Sequence, residues 1–85
     1  MSVAVLYFAS VREGVGVSRE ELDLPAEIRT VDEFLVWMRG RGETYEHALA
    51  AGAGIRVAVD RRHATAEKPV AGAREIALFP MMTGG

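Results

Sequence analysis

Cysteine is absent from this 85-residue chain, which excludes disulfides, thiolate metal sites and cysteine nucleophiles together. Any sulfur the protein handles must sit on some other atom. Histidine is nearly as scarce: His47 and His63 are far apart and lack a metal-ligand spacing, so no metal site is expected. Lysine is reduced to Lys68 beside nine arginines, a bias that reads as genomic or thermal before it reads as functional. Positive charge is not in excess; with a net charge of −2 the chain offers no basic stripe to nucleic acid. No apolar stretch reaches the length of a membrane span, so no membrane partner is expected. The opening residues Met1 to Leu6 have no basic region and no small-residue cleavage site. A cytoplasmic location is the expectation.

What is present is globular. Apolar residues make up 49% and charged residues 26%, values that argue against disorder. The length suits one small domain, which buries about 60–65% of its unfolded surface. Repeats, low-complexity segments and linkers are not apparent.

The pattern along the chain alternates strand and helix signals. Val3 to Ala9 is a nearly continuous apolar run, as in a central strand covered on both faces. Ser10 to Gly16 breaks it, and Gly14 and Gly16 read as a turn. Arg19 to Leu24 alternates charge with Leu22 and Leu24, a half-buried strand closed by Pro25. Thr30 and Glu33 have the spacing of a capping box. Val31, Phe34, Leu35 and Met38 then line one helix face, Trp37 falls at its edge, and Gly40 and Gly42 end it. Tyr45 to Ala51 suits a short second helix. Ile55, Val57 and Val59 form a third strand, Asp60 to His63 a polar turn, and His63 to Thr65 a weak returning strand. Glu75 to Phe79 is the last strand.

This order predicts an α+β fold of the β-grasp, ubiquitin-like kind. The expected sheet is mixed, with four to five strands, one main helix and one short helix on one face. Its first and last strands should lie adjacent and parallel at the centre, as their apolar character suggests. Residues 1–79 would form the domain and 80–85 a flexible tail.

The tail carries the functional signal. Gly84 and Gly85 follow Pro80-Met81-Met82-Thr83 and leave a bare backbone with a carboxylate, ionised at neutral pH. Residues without side chains can thread a channel too narrow for any other, at whatever backbone angles it imposes. Six extended residues reach roughly 20 Å from the last strand. Such a carboxylate on a leash can be activated by another enzyme.

Three motifs together resemble a known family. They are Val5-Leu6-Tyr7-Phe8-Ala9-Ser10-Val11-Arg12-Glu13, Val57-Ala58-Val59-Asp60, and Leu78-Phe79-Pro80-Met81-Met82-Thr83-Gly84-Gly85. In this order, over the whole length, they resemble the small subunit of molybdopterin synthase, the sulfur carrier of molybdenum cofactor biosynthesis. Two departures stand out: the family usually has a second proline at Met81 and commonly an asparagine at Asp60. Losing a fixed φ loosens the tail slightly, and Asp replaces Asn readily at a turn.

The resemblance implies a chemistry. A ubiquitin-activating-like adenylating enzyme uses ATP to make an acyl-adenylate at Gly85, and a sulfur donor protein converts it to a thiocarboxylate. The terminus then enters the large subunit of molybdopterin synthase, in a heterotetramer, and gives its sulfur to a cyclic pyranopterin precursor. The chain itself would hold no permanent cofactor. By the same resemblance Gly84 keeps the tip narrow, Thr83, Met82 and Met81 line the channel, Phe79 and Pro80 fix the tail's exit, and Phe8 and Arg12 meet partners. Phe8 could equally be core and Arg12 a solvated charge. Arg61, Arg62 and His63 read as a solvated turn, His47 and Lys68 as surface residues; Glu13, Glu43 and Glu46 could pair with a basic partner. Three rivals stay open: a thiamine-pathway sulfur carrier, a ubiquitin-like modifier forming isopeptides, and a plain interaction domain.

Overall fold

A computed structural model describes residues 2–50 and 54–80. Five strands form one sheet in the order β2-β1-β5-β3-β4: β1 (Ser2–Tyr7), β2 (Arg19–Asp23), β3 (Arg56–Val59), β4 (Arg62–Ala64) and β5 (Glu75–Phe79). β1 and β5 run parallel at the centre, with Val5 beside Ile76 and Tyr7 beside Leu78; all other pairings are antiparallel. The expected β-grasp arrangement is thus present. Its physical basis is the apolar content of both central strands. Val3, Val5 and Tyr7 from β1 and Ile76 and Leu78 from β5 are all buried in one core. β2 alternates as its sequence requires, with Leu22 packed against the core and Arg19, Glu21 and Asp23 exposed.

The helix α2 (Val31–Arg39) starts where the capping box places it. Thr30 Oγ1 accepts from the Glu33 backbone N–H at 3.2 Å, and Glu33 Oε1 accepts from the backbone N–H of Thr30 at 3.3 Å and of Arg29 at 2.7 Å. Val31, Phe34 and Met38 are buried on one stripe, and Leu35 and Trp37 pack at its margin. Fully burying a side chain such as Phe34 contributes about 1.5–3 kcal/mol. The short helix α3 (Glu43–Ala48) follows and delivers Leu49 to the core.

The segment read as a turn is a helix. α1 (Ala9–Val15) occupies most of the Ser10 to Gly16 stretch, so β1 stops at Tyr7 and the described residues form three helices rather than two. Gly14 gave the turn signal, yet it lies inside the helix. A Cβ there would stand 2.8 Å from Ala48 Cβ, so glycine is the residue that lets α1 and α3 touch. Gly16 does end the helix, in the left-handed region at φ 97°, with its N–H on the Arg12 carbonyl. Gly14→Ala is expected to cost about 1–3 kcal/mol by overpacking. Chemical unfolding would measure it, and Ala48→Gly in the same chain should recover most of the loss; a neutral Gly14→Ala would contradict the packing argument.

β3 and β4 form a hairpin with a two-residue loop, Asp60 and Arg61, both at positive φ (49° and 72°), the signature of a type I′ turn. Arg62 and His63 therefore belong to β4 rather than to the turn. Asp60 Oδ1 accepts from the backbone N–H groups of Arg74 and Glu75 at 2.9 and 3.0 Å, pinning the start of β5. An asparagine side-chain oxygen can accept the same two bonds, which accounts for the interchange at this position.

Candidate functional site at the end of the last strand

The end of β5 is where the tail begins, and the surface around it is apolar. Phe8 leaves β1 beside this end, with its N–H on the Leu78 carbonyl at 3.1 Å. Its ring meets Phe79 edge-on, centroids 6.3 Å apart at 83°. Ala9 then turns the chain into α1 at φ 51°, a region costly for bulky residues, and its small side chain keeps the surface low. Phe8, Ala9, Phe79 and Pro80 line an open hollow of ≈ 400 Å³ with almost no polar surface. Phe8 is 46% exposed, so the core reading of this residue is set aside.

Arg12 lies one helical turn beyond Phe8, its backbone N–H bonded to the Phe8 carbonyl at 3.2 Å, and its side chain is exposed. The structure thus brings Phe8, Arg12, Phe79 and Pro80 together. Met81, Met82, Thr83, Gly84 and Gly85 lie outside the described residues. Two further residues join the site that the sequence did not point to. His63 stands edge-on to Phe79 from β4, centroids 6.0 Å apart. Arg56 is the register partner of Phe79 on β3 and is exposed. Arg61 does not join, because its turn abuts Glu75 at the opposite end of β5. His47, Lys68, Glu13, Glu43 and Glu46 are exposed, as expected.

A polar cluster on another part of the molecule was also not legible in the sequence. The Glu20 carboxylate accepts from Tyr7 Oη at 2.6 Å, Tyr45 Oη at 3.0 Å and Arg41 Nη1 at 3.0 Å. Arg41 in turn lies over the Tyr45 ring at 4.4 Å and the Trp37 ring at 5.8 Å. Burial opposes ionisation of Glu20, but the hydrogen bonds from Tyr7, Arg41 and Tyr45 outweigh it and hold its carboxyl below the ordinary value. Burial first, then the Glu20 carboxylate, push the Tyr7 phenol far above its ordinary range. The cluster ties β1 and β2 to α3 through Tyr45 and to the turn before it through Arg41. Its role is structural, since every member is satisfied by another.

Among the described residues no group of three His, Asp or Glu lies close enough to hold a metal, and no helix is long and apolar enough to cross a membrane. The fold and the exit together define the chain as a ubiquitin-like β-grasp protein whose central strand β5 ends beside an apolar hollow. It belongs to the ThiS family, which it matches over residues 5–85. It is 32% identical over 83 residues to the molybdopterin synthase sulfur carrier subunit of Escherichia coli, covering 98% of this chain and 99% of that one. The resemblance drawn from the three motifs therefore holds. Among solved structures it is similar to SAMP1 from Haloferax volcanii, at 24% identity with a TM-score of 0.73, both chains covered in full. A second is a putative molybdopterin converting factor subunit 1 from Pyrococcus furiosus, at 24% identity and TM-score 0.70, covering 96% of this chain and 99% of that one. At these identities the structural likeness speaks for the fold alone.

Proposed function

We propose that this chain is the sulfur-donating small subunit of a molybdopterin synthase. The observation that carries the reading is the apolar exit: Phe8, Ala9, Phe79 and Pro80 form a docking surface at the root of a tail ending in Gly84-Gly85. The near-full-length identity to the Escherichia coli sulfur carrier subunit supports it. An adenylating enzyme joins the Gly85 carboxylate to AMP, releasing pyrophosphate from ATP. A sulfur donor protein then displaces AMP and leaves a thiocarboxylate. Inside the large subunit the thiocarboxylate passes its sulfur to a cyclic pyranopterin precursor and returns to carboxylate with an oxygen from water. Two carriers serve each dithiolene. The chain contributes the cargo atom, a narrow tip and a docking surface, while the large subunit supplies the active site. Residues 80–85 act as the arm, residues 1–79 as the body, and the setting is the cytoplasm.

Intact mass is the direct test. After incubation with an adenylating enzyme, ATP and a sulfur source, one oxygen should be replaced by sulfur; an unchanged mass would sink the carrier reading. A thiamine-pathway carrier shares the family and the terminal chemistry, and co-purification with a pterin-binding subunit separates the two. Lysine-linked ladders in cell extract would instead select the modifier.

Phe8→Asp separates docking from folding. The ring is exposed, so stability is expected to change by under about 1 kcal/mol, while affinity for the large subunit falls at least roughly tenfold, as for a buried interface aromatic. Calorimetric titration alongside urea unfolding would measure both; unchanged affinity would remove Phe8 from the docking surface.

A further inference from the structure

We propose that His63 is a positioning residue for the exit: its ring, leaning over β3, holds the Phe79 ring against Phe8 and so keeps the apolar hollow in shape. His63 does not line the hollow itself. The inference deepens the docking role of Phe8, Ala9, Phe79 and Pro80 and rests on that reading.

The register puts Phe79 and His63 on one face of the sheet. Phe79 pairs with Arg56 across β5 and β3, and Ala58 pairs with Ala77 on one side and His63 on the other. Directly opposed residues, and residues two apart on one strand, share a face. Arg56, Ala58, His63, Ala77 and Phe79 therefore project from one side, and the buried Val57 and Val59 from the other. Neighbouring strands lie about 4.7–4.9 Å apart, which puts the β4 and β5 backbones roughly 9–10 Å apart with β3 between them. The ring centroids of His63 and Phe79 are only 6.0 Å apart. The two side chains thus lean toward each other over β3. Ala58, the cross-strand partner of His63, leaves room for that approach because it carries a single methyl group.

Phe79 has a ring on each flank: Phe8 from the β1 side at 6.3 Å and 83°, and His63 from the β4 side at 6.0 Å and 67°. An edge-on contact sets the positive rim of one ring against the negative face of the other, so it fixes orientation as well as distance. That matters at Phe79 because it is the last residue of its strand and only half-buried. A side chain on a strand has two common χ1 settings. Both ring contacts are made in the same setting of Phe79, so removing His63 weakens that setting against its alternative. An aromatic pair of this geometry shifts such an equilibrium roughly two- to tenfold. A partner that covers the hollow needs the Phe79 ring in place, and its apparent affinity falls with the fraction of chains in that state. His63, although exposed and remote in sequence, thereby acts on docking through Phe79.

The test compares the full parent chain with His63→Ala and His63→Phe. Nuclear Overhauser contacts between the Phe8 and Phe79 rings are read on the chain alone. Calorimetric titration gives affinity for the large subunit of molybdopterin synthase, and a thermal melt gives stability. His63 is exposed, so all three chains should melt alike. His63→Ala should weaken the Phe8–Phe79 contacts and lower affinity at least roughly twofold, while His63→Phe, which keeps a ring at residue 63, should restore both. Unchanged Phe8–Phe79 contacts in His63→Ala would overturn the proposal. So would parent-like affinity in that variant, or lost affinity in a folded His63→Phe. The ring contacts need no partner, so a parent chain that fails to bind the large subunit would count against the docking reading while those contacts still decide what places Phe79.

Discussion

Deleting Gly85, or appending one residue after it, is expected to abolish sulfur transfer while the domain melts at its original temperature. Among the described residues the buried core is assembled from β1, β3, β5, α1, α2 and the Leu49 and Val70 side chains. In the proposed role the arm, residues 80–85, depends on its length and on a free carboxyl at Gly85. One residue changes an extended reach by about 3.3–3.6 Å, and a misplacement of even 1 Å can cost about a hundredfold in rate. Gly84→Val should block transfer as well, by widening a tip that the proposed role needs narrow. The measurements are thiocarboxylate formation by intact mass, product formation with the large subunit, and a thermal melt. Full activity in an appended variant that has not been trimmed would refute the arm model.

Glu20→Ala is expected to cause a large loss of stability for a residue on an edge strand, about 2 kcal/mol, since it strips the acceptor from the Tyr7 hydroxyl, the Tyr45 hydroxyl and the Arg41 guanidinium together. For a domain of this size that corresponds to roughly 8–16 °C in Tm. Glu20→Gln keeps an acceptor and should cost less. Adding Tyr7→Phe to Glu20→Ala should cost less than the sum of the two, because the buried hydroxyl no longer needs a partner. The pH dependence has a definite sign. The Glu20 carboxyl is held below its ordinary 4.5 in the folded chain. Its contribution is therefore complete above 4.5 and is lost as the pH falls through the depressed value. Urea midpoints of the parent and Glu20→Gln should differ at neutral pH and converge as the pH falls below 4.5 through the depressed value. A constant gap across that range would remove ionisation from the account.

Much of the fold was legible because its signals are local. The capping box at Thr30 and Glu33 and the stripe from Val31 to Met38 are written within nine residues, and α2 appears where they put it. The apolar runs of β1 and β5 announced central strands, and the register confirms their parallel pairing. α1 was missed because Gly14 carries opposite meanings in sequence and in structure. As a local signal it breaks a helix; in the fold it opens room for Ala48, thirty-four positions on in the chain. The returning strand β4 was legible, but its exact turn was not, since Asp60 and Arg61 both sit at positive φ without a glycine.

The candidate site divides along the same line. Phe8, Arg12, Phe79 and Pro80 were identified from motifs, and the structure gathers them at one exit. Whether Phe8 was core or surface was open until its exposure was seen. His63 and Arg56 carried no local mark, because their relation to Phe79 exists only once β3 is laid between β4 and β5. The Glu20 cluster is the same case, joining residues 13 to 25 positions apart whose polar types look like ordinary surface in sequence.

By itself, then, the sequence determined that the protein has no thiol of its own, carries a bare Gly-Gly tip, and forms a capped helix against a sheet with apolar central strands. Each of these is a property of residue chemistry or short-range periodicity. The tertiary structure alone decided that Phe8 faces outward, that Gly14 is a contact rather than a break, and that Arg56 and His63 stand beside Phe79 at the end of β5. Those facts arise where strands and helices remote in the chain come within a few ångströms, and no local pattern encodes who the neighbour will be.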